Sequence, residues 1–203
     1  MVKILYEDDN YIILVKPAGM PIHPSKLHMG DTLADNLAGR LDVFRCINRL
    51  DRVTEGLTIV AKTKDAAAYF YKLMTDRKIE REYEAIVENG DERLPDSGTI
   101  DAPIARLSED ERDIRRTVDY EKGESAVTHY RVIETGENYT RVNLKLETGR
   151  THQIRVHMAY IGHPLKGDNL YNPKAGADEL AALKAVRLRF PDMNGEMKEF
   201  SLQ

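Results

Sequence analysis

The sequence predicts an α+β fold, a mixed but mostly antiparallel sheet with helices packed against it. Three observations lead there. Strand-like stretches outnumber helical ones, turn-forming clusters recur between neighbouring strands, and no internal repeat, low-complexity tract or interdomain linker breaks the 203 residues. Strands joined by short turns run antiparallel, and their apolar faces need helices to cover them. Residues 1–203 are expected to fold as a single domain.

The elements follow in order. Residues 2–6 and 11–16 run apolar around Glu7-Asp8-Asp9-Asn10, a hairpin signal. Pro17-Ala18-Gly19 and Pro21 end the second strand and open a loop through His28-Met29-Gly30. Asp31 or Thr32 caps a short helix reaching about Leu41. A Thr54-Glu55-Gly56 turn precedes Leu57-Thr58-Ile59-Val60-Ala61, a β-branched run short enough for a buried strand. Thr63 caps a helix over 64–75 that turns Ala66, Tyr69, Phe70 and Leu73 inward. Residues 79–88 read as a strand with Tyr83, Ala85 and Val87 on one face, and 99–105 as a short extended piece. Residues 108–125 are highly charged and poorly periodic, an exposed hairpin or mobile loop. Residues 127–134 and 140–146 pair across Thr135-Gly136-Glu137-Asn138. Thr151 begins a helix to Tyr160 that Gly162 and Pro164 end. A short helix near 178–183 and strands at 186–190 and 198–202 close the chain.

Composition narrows the function classes. Hydrophobic residues at 41% and charged residues at 32% describe an ordinary folded protein. No apolar stretch approaches membrane-spanning length and the start lacks a secretory pattern, so the cytoplasm is the expected compartment. The lone Cys46 excludes a disulfide framework and a cysteine-based zinc site, and reads as a small buried hydrophobe. His23, His28, His129, His152, His157 and His163 show no metal-ligand spacing, and no phosphate-binding glycine loop appears. No metal and no cofactor are expected. The net charge of −4 argues mildly against a nucleic-acid partner. Charge is unevenly spread, however: Arg141, Lys145, Arg150, Arg155 and two histidines face one glutamate between 141 and 157. A local basic surface on an acidic protein is allowed.

The chemistry centres on residues 46–63, CINRLDRVTEGLTIVAKT. Asp51 lies between Arg49 and Arg52, just before a rigid strand. Cations this close favour the ionised carboxylate, and an anionic carboxylate on a fixed scaffold suits nucleophilic catalysis. A charge-dense loop before a strand is more often plain solvated surface. What outweighs that reading here is company further along the chain.

The stretch resembles the signature of the RluA-type pseudouridine synthases, HRLDRxTSGLLLLAKT. It departs at Asn48, where the family has His, and at Glu55, where it has Ser. Residues 78–87, KIEREYEAIV, resemble the family's KxYxAxV strand, with Arg81 in the basic position. Residues 146–158, LETGRTHQIRVHM, are similar to its LxTGRxHQIRxHM segment. The flanks DDNYIILVKPAGMPIHP and GHPLKGDNLY resemble the family's KPaG and GhPIxGDxlY segments, in the family's order.

The resemblance implies the pseudouridine synthase fold, with an active-site cleft across a large mixed sheet, and an enzyme that isomerises a uridine in structured rRNA or tRNA. It makes Asp51 the catalytic carboxylate, acting on the base, on the ribose or on glycosidic cleavage. Arg155 becomes the arginine paired with it, and Tyr83 the phenol against the uracil. Arg49 takes the place of the flipped base, while Arg52, Arg150, His152 and Gln153 contact the substrate. RNA is the implied partner, with no membrane and a single copy of the chain at work. Two other classes compete. A catalytically idle RNA-binding module would not need Asp51, Tyr83 and Arg155 together, and a carboxylate glycosidase uses two partnered carboxylates, whereas Asp51 stands among arginines.

Overall fold

The structure, a computed structural model, describes residues 2–24, 30–41 and 44–202. The part of the expected first loop at 25–29 lies outside them. Along the chain come β1 (Lys3–Glu7), β2 (Tyr11–Lys16), α1 (Leu33–Asn36), β3 (Arg45–Cys46), β4 (Glu55–Ala61) and α2 (Lys64–Thr75). Then follow β5 (Glu80–Val87), β6 (Ser97–Asp101), β7 (Ile104–Arg106), β8 (Arg116–Val118), β9 (Val127–Thr135) and β10 (Thr140–Leu146). The chain closes with α3 (Gln153–Tyr160), β11 (Leu183–Pro191) and β12 (Met197–Ser201). Two units divide it, Met1–Arg81 with Lys184–Gln203 and Glu82–Leu183.

In the first unit the strands run β1-β2-β4-β11, with β12 on β11 and β3 on β4. The β4–β11 pairing is parallel and the others are antiparallel, which makes the sheet mixed. Both faces are covered. Tyr11, Ile13, Leu57 and Ile59 pack with Phe70 and Leu73 of α2, while Ile12, Leu14 and Val60 pack with Leu33 and Leu37 around α1. That is why β2 is apolar throughout instead of alternating. Helix α2 has its predicted bounds because Thr63 accepts the Ala66 amide and the buried side chains fall on one face.

In the second unit the antiparallel order is β5-β10-β9-β6, with Leu144 opposite Tyr83. Strands β7 and β8 form a separate hairpin, so the charged stretch after 107 resolves as its connection and return strand. Helix α3 lies against β8 and β9. Tyr83, Ala85 and Val87 are all buried, as their spacing predicts.

Five expectations are corrected. α1 starts with a Thr32–Asp35 capping box but ends at Asn36. Beyond it the Ala38 and Arg40 amides reach back only three residues, and Gly39 turns at φ 77°. Gly56 belongs to β4 and not to a turn. The piece at 99–105 divides into β6 and β7 around Ala102-Pro103, where proline has no amide to donate. Residues 178–183 are not helical. The Ala182 amide donates to the Lys166 carbonyl and its own carbonyl accepts the Ile86 amide, so tertiary bonding overrides helix propensity. Lastly, Thr151 does not begin α3, whose N-cap is His152. Among the described residues no helix is long and apolar enough to cross a membrane.

Candidate active site

Asp51 lies on the connection between β3 and β4. Around it Ile47, Asn48, Leu50 and Val53 are buried, Arg49 and Arg52 are exposed, and Asp51 is half-buried. Two buried polar side chains fix this loop from below. Asn48 accepts the Ile59 amide on Oδ1 at 2.8 Å and donates Nδ2 to the Leu57 carbonyl at 2.9 Å. Its side-chain amide thus imitates a strand partner and ties the loop to β4. The departure from the family's His is a structural solution of its own.

The second is Lys16, which the sequence reading missed. Its ammonium is fully buried and donates to the carbonyls of Pro17 and Met20 at 2.9 Å and of Arg52 at 3.2 Å. The Gly19 amide donates to the same Arg52 carbonyl. One cation therefore clasps the Pro17–Met20 loop to the residue after Asp51. Burial pushes the ammonium down to about 8, and the negative charge of Asp51 is the largest influence opposing that. A lysine closing a wholly apolar strand was the available signal.

Gly56 explains another motif position. Its φ is 122°, and a Cβ there would meet the Ala185 carbonyl oxygen at 2.3 Å, so only glycine lets β11 pair alongside. Glu55, the second departure, ends 3.6 Å from the ammonium of Lys184 on that neighbouring strand. Burial pushes the Cys46 thiol up to about 12, which fits an inert packing residue.

In the second unit α3 carries Arg155, which is only 2% exposed. Its Nε and Nη2 donate to the two oxygens of buried Asp168 at 2.8 and 2.7 Å, a bidentate pair. Its guanidinium also stands over the Tyr171 ring, 5.1 Å from the centroid. Neither Asp168 nor Tyr171 was singled out as a site residue. Tyr83 is buried on β5, and Arg81 is half-buried near that strand's start.

The helix begins at Gln153, and its N-cap is His152, not Thr151. His152 adopts the left-handed conformation, φ 57°, and makes no side-chain cap bond. The cap-like bonding comes from Gln153 instead. Its Oε1 accepts from the Arg150 amide and the Thr148 hydroxyl, and its Nε2 donates to the Val127 carbonyl and Thr128 Oγ1. All four bonding positions of Gln153 are used within the fold, so it builds the turn at 148–153. Arg150 is more exposed, donating to the Ser125 carbonyl and pairing with Glu124. Buried His157 bridges Thr128 Oγ1 and the Ala102 carbonyl, and burial lowers its pKa.

Taken unit by unit, this is a fixed carboxylate loop and a buried, bidentate-held arginine on a strained helix start. Comparison with known proteins agrees on what such parts belong to. The family model for RNA pseudouridylate synthase matches residues 10–160. The ribosomal large subunit pseudouridine synthase D of Haemophilus influenzae is 40% identical over 97% of this chain and 65% of its own length. Its namesake in Pseudomonas aeruginosa is 43% identical over 91% and 58%. The chain therefore spans about two thirds or less of these curated relatives. The solved human RNA pseudouridylate synthase domain containing 1 superposes with a TM-score of 0.83 at 28% identity, over 100% of this chain and 83% of that one.

Proposed function

The chain belongs to the RNA pseudouridylate synthase family, and on that premise we propose that it isomerises a specific uridine of structured RNA to pseudouridine. Large-subunit ribosomal RNA is the first substrate to test, because the relatives carry that name. Transfer RNA is the other. The protein works as a monomer in the cytoplasm, residues 1–203 serving as one catalytic domain.

The reaction breaks the N-glycosidic bond, turns the uracil and rejoins it to the ribose through C5. Asp51 supplies the anionic carboxylate on which that exchange depends. Arg155 supplies fixed positive charge, and Tyr83 supplies an aromatic face for the base and an oxygen for the C5 proton. Arg49 fills the space the flipped base leaves, which offsets an unstacking cost of roughly a few kcal/mol. Arg52 and Arg150 neutralise phosphates, and His152 donates to the substrate.

One observation carries this reading. The half-buried Asp51 sits on a loop that two buried polar side chains hold in place, with cationic neighbours turned outward. A merely solvated charge run has no use for such anchoring. The decisive experiment maps pseudouridines across total cellular RNA with wild-type protein, with Asp51→Asn and without the protein. One or more sites should vanish in the last two alike. Asp51→Asn should retain RNA affinity yet lose several kcal/mol of transition-state stabilisation. Turnover within about tenfold of wild type would remove Asp51 from the mechanism, and an unchanged map without the protein would leave the idle binding module.

A further inference from the structure

Two stretches of the first unit meet beside the Asp51 loop and have no part in the chemistry derived above. One is Pro21-Ile22-His23, between β2 and α1. The other is Phe44-Arg45, which leads through β3 to Arg49 and Asp51. Each is held from behind. The Pro21 carbonyl accepts the Leu33 amide at 2.8 Å and the Ile22 carbonyl accepts the Ala34 amide at 3.1 Å, so the start of α1 fixes the backbone just before His23. Phe44 is half-buried and packs against the core that contains Ile22, Leu33 and Cys46. Pairing of β3 with β4 turns Cys46 inward and leaves Arg45 exposed.

The two stretches touch through their rings. The centroids of His23 and Phe44 are 5.1 Å apart and their planes stand at 89°. Perpendicular rings are a favoured aromatic arrangement, and in it only one ring offers a face to the other. Phe44 is turned to the core while His23 is exposed. The outer member of the pair is therefore a histidine backed by a phenylalanine.

The charge around this aromatic step is positive. Residues 45–52 carry three exposed arginines against one aspartate, in a chain of net charge −4. Arg45 donates Nη1 to the Phe44 carbonyl at 3.1 Å, which holds its guanidinium next to the step. The charges of Arg49 and Arg45 both reach His23. Burial first, and then these two cations, keep its imidazole below the ordinary histidine value and so uncharged at neutral pH. A neutral ring beside fixed guanidiniums suits an unpaired nucleotide, whose base stacks on histidine as on other aromatic side chains and whose phosphate goes to the cation. An acidic peptide would use the arginines and leave the ring without a role.

We propose that His23 and Arg45 form a second nucleotide subsite beside the Asp51 loop, in which an unpaired base of the RNA stacks on the His23 ring, backed by Phe44, and the phosphate of that nucleotide pairs with Arg45. The subsite deepens the pseudouridine synthase reading and rests on it. Extruding a uridine for reaction unstacks its neighbours, and one of them finds a new stacking partner here.

Hexauridylate and a hexameric abasic ribose-phosphate strand, each titrated into the full chain, separate the two contacts. Both side chains are exposed, so replacing them leaves the core intact. His23→Ala should weaken hexauridylate binding about tenfold, the worth of one base–aromatic stack, and leave the abasic strand bound as before. His23→Phe should hold hexauridylate at least as tightly as wild type, whereas His23→Gln should behave like His23→Ala, because a stack needs a ring and not a hydrogen bond. Arg45→Ala should weaken both strands and reduce the slope of log affinity against log salt by about 0.7, one single-strand phosphate contact. Wild-type affinity of His23→Ala for hexauridylate, equal losses on the two strands, or full binding by His23→Gln overturns the stack. An unchanged salt slope in Arg45→Ala overturns the phosphate contact, and a wild type that turns over folded RNA yet does not bind hexauridylate overturns the subsite as a whole. Absence of turnover on every cellular RNA, with the hexauridylate effects as expected, would strike the functional reading instead and leave the nucleotide subsite standing.

Discussion

The loop that carries Asp51 and the helix that carries Arg155 are immobilised by opposite means. The loop is held through its backbone: Lys16 takes the Arg52 carbonyl, Asn48 takes two main-chain groups of β4, and the arginines beside Asp51 stay exposed. The helix is held through side chains, with Arg155 buried between Asp168 and Tyr171 and Gln153 saturated within its turn. The loop therefore depends on two anchoring side chains, Lys16 and Asn48, while Arg49 and Arg52 beside Asp51 stay exposed. A side-chain-held helix depends on each partner's identity.

The largest expected effect separates the two at once. Asp168→Ala strands the buried Arg155 cation without its bidentate partner, and breaking such a pair costs about 3–5 kcal/mol. The urea midpoint should fall accordingly. Asp168→Leu combined with Arg155→Met should recover much of that loss, since an apolar pair of similar volume has no charge to leave stranded. Asp51→Asn, on the backbone-held loop, should shift the midpoint far less. Equal losses from Asp168→Ala and Asp51→Asn would erase the distinction.

Next comes Lys16, a buried charge that anchors the loop. Its pKa is lowered from 10.5 to about 8 in the folded protein, so between those values the unfolded chain binds more protons. Stability should therefore rise with pH across that window, by up to about 3 kcal/mol, as the cost of the buried ammonium is relieved. Below pH 8 the cost is fully present. Lys16→Met should abolish this part of the slope in melting curves taken from pH 7 to 10.5, while lowering stability at pH 7 by removing the ammonium from the Pro17, Met20 and Arg52 carbonyls, the last of which keeps the Gly19 amide. A variant with the wild-type slope would show that another group titrates.

These residues also mark what the sequence made legible. Helix α2 could be read to the residue because Thr63 and its apolar face are local signals. The segments bearing Asp51, Tyr83 and Arg155 are marked by their resemblance to the family's motifs, although α3 starts at Gln153 and not at Thr151. Lys16 is signalled only by its place at the end of an apolar strand, where a lysine ordinarily faces water, and tertiary burial is what reveals its carbonyl cage. Asp168 and Tyr171 lie 13 and 16 residues beyond Arg155, across a turn whose geometry no periodicity reports. The start of α3 depends on a left-handed histidine, which has no sequence signature. The missing helix near 178–183 shows the reverse case, a good local propensity overruled by bonds from Ile86 and to Lys166.

A smaller effect probes the loop's second anchor. Asn48→Ala leaves the Ile59 amide and the Leu57 carbonyl buried without that partner. The loss should be about 1–3 kcal/mol, measured by thermal or urea unfolding. Hydrogen exchange should quicken at the Ile59 amide and leave the α3 amides as they were. Faster exchange in α3 would mean that the two regions are not separately held.

The smallest stability effect belongs to Arg150, which sits beside the tightly held helix yet is held loosely itself. Its guanidinium is 37% exposed and pairs with Glu124, which is 71% exposed. Pairs this open contribute about 0–1 kcal/mol, so Arg150→Ala should barely move the unfolding midpoint. Its effect should appear in RNA binding instead. Loss of one phosphate contact lowers affinity and reduces the slope of log affinity against log salt by about one unit. Glu124 competes for the same guanidinium, so Glu124→Gln should act in the opposite direction and tighten RNA binding at low salt. Filter binding over a salt series for wild type and both variants measures this. If Arg150→Ala lowers stability by as much as Asn48→Ala and leaves the salt slope unchanged, Arg150 is part of the scaffold, and the contrast between the held helix and its exposed basic neighbour fails at that residue.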